Sequence, residues 1–141
     1  MDGRAALISV RPYYANKILS GEKKVEFRRT WAIQQVHHLL IYSTSPVMRL
    51  VAIADVKNVI VASPSGLWTL SKEIGGGITR EQLFAYLSGK STAVAIELSE
   101  VRELDRPLSP KKILGRDFRP PQSFRYLDAK EFLQVKRKFT R

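Results

Sequence analysis

A chain of 141 residues has the length of one domain and is long enough to bury a core. Its 44% hydrophobic and 26% charged residues exclude a disordered chain, and the lack of cysteine excludes disulfides, thiolate zinc sites and cysteine nucleophiles, in keeping with a reducing compartment. A net charge of +11 points toward polyanionic partners, nucleic acid being the commonest.

Ala5 to Val10 is a short apolar run with β-branched residues and predicts a first strand. Arg11 and Pro12 cut that run short. It is too brief for a signal peptide, and no apolar run approaches the roughly 20 residues that cross a bilayer, so a soluble, cytoplasmic protein is expected. Pro12 suits the first position of a helix that carries Tyr14, Ile18 and Leu19 on one face and ends at Gly21. Lys23 to Arg29 then alternates with period two. Val25 and Phe27 share one face, and Lys24, Glu26 and Arg28 the other. On a regular strand Lys23 falls on the Val25 side, so it joins Glu26 and Arg28 only from a twisted or lip position.

His38 to Ser43 reads as a buried strand, and Val47 to Val61 as one long bent strand or two joined by a bulge. Ser63-Pro64 opens a short helix with Leu67, Trp68 and Leu70, which Gly75-Gly76-Gly77 breaks. Thr79 caps a second helix, Arg80 to Leu87. Ala93 to Val101 is a strand with Val94, Ile96 and Leu98 on its apolar face. Beyond Arg106-Pro107 the character changes. Ser109-Pro110 starts a short basic helical turn, Phe124 to Leu127 a last strand, and Asp128 with Glu131 a capping box for a final helix with Phe132, Val135 and Phe139 inward. Strands of antiparallel character with helices inserted between them predict an α+β domain built as a small, partly open β-barrel.

Charge is unevenly placed. Residues 1–31 have net charge +4, residues 32–110 zero, and residues 111–141 +7. If the fold joins the two ends, they form one basic surface. Lys111, Lys112, Arg116, Arg119, Arg125, Lys136, Arg137 and Lys138 would track phosphates there, with Arg11 beside them.

Among the candidate site residues, Arg28 offers a planar fork for a phosphate or base edge, and Glu26 an acceptor for an amino group. Lys23 offers a point charge, or a base if burial lowers its pKa. The competing reading is a structural salt bridge from Glu26 to a neighbouring cation. Ser43 and Thr44 offer hydroxyls after a buried strand. Gly75 to Gly77 reads as a flexible connector near the cleft. Trp31 and Trp68 are candidate stacking platforms, with packing favoured for Trp68. Phe124, Arg125 and Tyr126 interleave aromatic and basic character, as single-strand binders do, or seal a barrel edge. His37 and His38, the only histidines, face opposite ways on a strand and make no metal signature, and no serine sits in a nucleophile elbow.

The spacing Gly21, Lys23, Glu26, Arg28 after a strand and helix resembles the G-x-K-x-x-E-x-R signature of the ASCH domain family. The likeness runs over about residues 5–105, with 106–141 as a basic extension of one domain. The resemblance implies a PUA-like β-barrel whose relatives bind RNA, some recognising modified bases. A few ASCH proteins are enzymes. One class removes acetyl from acetylcytidine with a lysine like Lys23, a threonine at the place of Glu26, an arginine like Arg28 and a distant glutamate, for which Glu73 is the candidate here. Glu26 leaves that class without its hydroxyl nucleophile. Ribonuclease activity is also associated with the family.

The leading expectation is therefore a binding module for nucleic acid, RNA foremost, or for a nucleotide. The rivals are a hydrolase on an acylated nucleoside or RNA, with Lys23, Glu26 and Glu73 as its catalytic groups, and a protein-interaction module. No cofactor, metal or membrane partner is implied, and the oligomeric state is open.

Overall fold

The computed structural model describes residues 4–139, with Phe139 described in its backbone alone. The inward packing expected of Phe139 thus lies outside the described residues. The elements are β1 (Ala5–Val10), α1 (Pro12–Ser20), β2 (Val25–Arg28), β3 (His38–Ser43), β4 (Arg49–Ala62), α2 (Pro64–Ile74), α3 (Arg80–Tyr86), β5 (Ala93–Leu108), α4 (Pro110–Leu114), β6 (Phe124–Leu127) and α5 (Ala129–Phe139). The strands form one mixed sheet in the order β2-β5-β4-β3-β1-β6. The β1–β3 pair is parallel and every other pair antiparallel. The result is an α+β fold in which a curled half-barrel carries helices on both sides.

Alternation sorts the side chains into layers. Ala6, Ile8 and Val10 of β1 face a core shared with Leu39, Ile41, Ile96 and helix α1. Ala5 and Leu7 face the opposite side, where Leu40, Tyr42, Phe132 and Val135 join them under α4 and α5. At the far end Val25, Phe27, Ala93 and Ala95 pack on Leu67, Leu83 and Leu87 of α2, α3 and the turn after α3. The strand Ala93–Val101 was expected to have one strongly apolar face; helices cover both faces of its first half.

Caps mark the end of α1 and the starts of α2, α3 and α5. Gly21 closes α1 in the left-handed conformation at φ 84°, and its N–H bonds the Ile18 carbonyl. Ser63 caps α2. Thr79 and Gln82 form a reciprocal capping box on α3. Asp128 and Glu131 form the expected one on α5.

Strand β4 is the single long strand, with bulges. Strand β5 corrects the sequence reading. It does not end near Val101 but runs through Arg106-Pro107 to Leu108. Its pairing with β4 jumps from Glu103 to Leu108, so Pro107 lies where no ladder bond needs its missing N–H. The basic segment after residue 106 is therefore woven into the sheet. Strand β6 pairs with β1, and α5 packs through Phe132 and Val135. Among the described residues no helix is long and apolar enough to cross a membrane.

Candidate functional site

The sheet has two free edges, β2 and β6, and a cleft of about 710 Å³ opens at the seam between them. Tyr14 borders it from α1, Arg11 from the N-cap of that helix, Thr44 from just beyond β3, and Gln82 and Tyr86 from α3. Arg29 holds α3 in place by donating to the carbonyls of Tyr86 and Ser88, each at 2.8 Å.

The floor is polar because β2 breaks the apolar pattern on its inner face. Glu26 lies opposite Ile96 and Arg28 opposite Val94, in register positions that the rest of this face fills with hydrocarbon. Both side chains are buried, as is Lys23 at 2% exposure. Such burial is tolerated only with partners. Arg28 Nη2 donates to Glu26 Oε2 at 2.7 Å and to the Ser9 carbonyl at 2.8 Å, and Nη1 donates to the Ser123 carbonyl at 3.2 Å. Its Nε is buried without an acceptor among the described residues. The fork expected to read a ligand is thus occupied. Arg28 is held in a closed ion pair and ties β2 to β1 and to the residue before β6.

Lys23 does converge with Glu26. It sits two residues before β2 begins, at the lip, and so escapes strand parity. Its Nζ donates to the Gly76 carbonyl at 2.6 Å and lies 3.8 Å from Glu26 Oε1. The faces of Tyr14 and Phe27 stand 5.2 and 5.1 Å away. Burial, with help from Arg28 and Lys17, lowers the Lys23 pKa, and Glu26 opposes the shift. Burial and the neighbouring Tyr13 raise the pKa of the Tyr14 phenol, which therefore stays protonated at neutral pH. The cleft floor combines a buried amine whose pKa is lowered, a protonated phenol and a carboxylate already engaged by arginine.

The triple glycine is packed rather than a loose connector. Lys24 N–H bonds the Gly75 carbonyl at 2.7 Å. A Cβ on Gly76 would collide with Ser71, and one on Gly77 would come within 2.8 Å of Lys23 Cβ. Gly77 also has φ 62°, where L side chains are strained. These glycines let the backbone close on Lys23 and aim a carbonyl at its ammonium.

The remaining candidates scatter. Thr44 and Arg11 reach the cleft. Ser43 is buried in β3. Glu73 is exposed on α2 and does not line the cleft, so the distant carboxylate is not assembled with Lys23. Trp31 packs on Phe124 at 4.9 Å between ring centres, sealing the seam instead of facing the cleft. Phe124 and Tyr126 join the inner core while Arg125, pointing the other way, is held by both carboxylate oxygens of Glu131 at 3.1 and 3.3 Å. Lys111, Lys112, Arg116, Arg119, Arg137 and Lys138 are exposed; Lys136 is half-buried beside Phe132. His37 is exposed, and half-buried His38 lies 2.9 Å from Asp55. No cluster of three or more His, Asp or Glu able to hold a metal occurs among the described residues.

Sequence reasoning treated Tyr14 as a packing residue and passed over Gln82, Tyr86 and Gln122, all of which line the cleft. Tyr14 alone left a signal, as an aromatic about two helical turns and a cap away from Lys23.

No protein-family model matches the chain. Over 134 residues it is 31% identical to a protein of Zymomonas mobilis subsp. mobilis named ASCH domain-containing ribonuclease, a match that covers 92% of this chain and 88% of that one. The crystal structure of ASCH from Zymomonas mobilis aligns with a TM-score of 0.85 at 28% identity over 94% of both chains. A 92-residue stretch is 33% identical to large ribosomal subunit protein uL22 of Ureaplasma parvum, covering 64% of this chain and 29% of that protein.

Proposed function

This chain belongs to the ASCH family and has its PUA-like α+β fold, and on that footing we propose that it cleaves single-stranded RNA, taking one nucleotide into the seam cleft beside Lys23. The observation that carries the reading is Lys23 itself: a lysine at 2% exposure, with a lowered pKa, on the floor of a cleft of about 710 Å³. The ribonuclease name of the relative that matches 92% of this chain supports it.

RNA supplies its own nucleophile, so the hydroxyl that Glu26 replaces is not needed. The ribose 2′-oxygen attacks the adjacent phosphorus and the bond to the 5′-oxygen breaks, leaving a 2′,3′-cyclic phosphate and a 5′-hydroxyl. Lys23 in its neutral form takes the 2′-hydroxyl proton, and Tyr14 gives a proton to the departing 5′-oxygen. Glu26, fixed by Arg28, holds the amine in place. Arg11 at the rim and the exposed cations of α4 and α5 attract the phosphates on either side. A cytoplasmic setting fits a chain without cysteine.

The test is incubation of end-labelled single-stranded RNA, DNA of the same sequence, and acetylcytidine with wild type, Lys23→Met and Tyr14→Phe. We expect cyclic-phosphate ends from RNA alone, with each variant slowed by about 10²- to 10⁴-fold, the usual yield of acid–base catalysis. Equal rates in a folded Lys23→Met protein overturn the assignment of Lys23. RNA retained uncut by wild type leaves a binding module, release of acetate makes the cleft an amidohydrolase, and retention of acidic proteins but not RNA makes it a protein-interaction module.

A further inference from the structure

Behind the Gly76–Gly77 backbone lies a second groove of about 360 Å³, between α1 and α2. Tyr13 lines it from α1 and Trp68 from α2. It shares Ile78 and Gln82 with the cleft, so the two spaces adjoin around one edge of the glycine wall. Lys23 touches that wall from the cleft side.

We infer that this groove is a second base subsite, which stacks the nucleotide adjoining the one at Lys23; the inference rests on the RNA reading above.

Its chemistry is that of a single-strand platform. Tyr13 is 58% exposed, so its ring is open to a ligand from solvent. Each ring already carries a cation: Lys17 Nζ stands 4.8 Å from the centre of Tyr13, and Lys72 Nζ stands 5.7 Å from that of Trp68. A base is a flat, polarisable group that can take the place of an ammonium on either ring, and the displaced lysines are then free to meet the flanking phosphates. Lys17 is held meanwhile by Glu22 at 2.8 Å, which keeps the first ring covered but in reach of solvent. Stacking reads no particular base, so the subsite extends the footprint along the strand without fixing its sequence. The Gln82 side-chain carbonyl accepts from the Thr79 N–H, which fixes the side chain of a residue that lines both spaces.

The experiment measures binding of 2′-O-methyl uridylates of one, two and four nucleotides, which cannot be cut because the attacking hydroxyl is blocked. Trp31→Phe protein leaves Trp68 as the one fluorophore of its kind. We expect the second nucleotide to tighten binding by about 5- to 100-fold and to quench Trp68, and Tyr13→Ala to remove most of that gain. Tyr13 is exposed, so its removal does not threaten folding; Trp68→Phe, which keeps a ring, is expected to retain part of the gain. Binding that depends on Lys23 but gains nothing from a second nucleotide, or keeps its gain in Tyr13→Ala, sinks the subsite and spares the cleft. Absence of binding at every length, together with uncut RNA, removes both.

Discussion

Arg28 on β2 donates across the open seam of the sheet to the Ser123 carbonyl, 3.2 Å away at the entrance to β6. The sheet closes there through a guanidinium instead of a ladder of backbone bonds. Removing it is expected to cost about 3–5 kcal/mol, because Glu26 would stay buried with only Lys23 nearby. Arg28→Lys should recover little, since an ammonium cannot span Glu26, Ser9 and Ser123 together. Urea unfolding of the two variants checks this. Stability within 1 kcal/mol of wild type, by the usual scatter for surface changes, would mean that the seam closes by other means.

Lys23 predicts a pH dependence of stability. Its pKa is lowered from 10.5 in the folded protein, so between the lowered value and 10.5 the unfolded chain binds the extra proton. Stability therefore rises with pH through that window, and below it the buried charge is a standing penalty. Against Lys23→Met, which has no such proton, wild type should gain as pH rises toward 10.5. Parallel melting curves at each pH would contradict the burial of the ammonium.

Gly77→Ala and Gly89→Ala separate strain from crowding. Both glycines have positive φ, 62° and 86°, but a Cβ at Gly89 meets open space. Gly89→Ala should cost about 1–2 kcal/mol from backbone strain alone and leave RNA cleavage near wild type. Gly77→Ala should cost more and suppress cleavage, because the new methyl displaces Lys23. Equal rates in the two variants would show that the glycine wall does not position the amine.

Affinity for RNA should fall with salt. Each phosphate neutralised on a single strand adds about 0.7 to the slope of log K against log salt. Lys111→Gln with Lys112→Gln, both exposed on α4, should shallow the slope by up to about 1.4. An unchanged slope would take α4 out of the path of the strand.

Much of this was legible in the chain before the structure. Gly21, Ser63, Thr79 and Asp128 mark their helix ends because capping depends on a residue and its near neighbours. The alternation of Val25 and Phe27 against Glu26 and Arg28 is local too, and it placed two members of the cleft floor on one face. The state of Arg28 was not legible, since its acceptors at Ser9 and Ser123 lie 19 and 95 residues away. Nor was the work of the triple glycine, which looks like a flexible linker until Lys23 and Ser71 are seen pressed against it. Strand β5 passed its apparent end because a bulge can carry a proline, and nothing in Arg106-Pro107 alone distinguishes a bulge from a stop.

The pairing of β6 with β1 also sets an order in time. During synthesis β1 leaves the ribosome first among the strands; β3 follows soon after on one side, but its other neighbour, β6, is complete only when Leu127 has emerged. The Ser123 carbonyl that fastens Arg28 arrives in the same late stretch. A nascent chain that already holds Lys23, Glu26 and the glycine wall still lacks one side of its cleft. The cleft is thus completed only when the stretch around Ser123 folds back onto strands that preceded it by about a hundred residues.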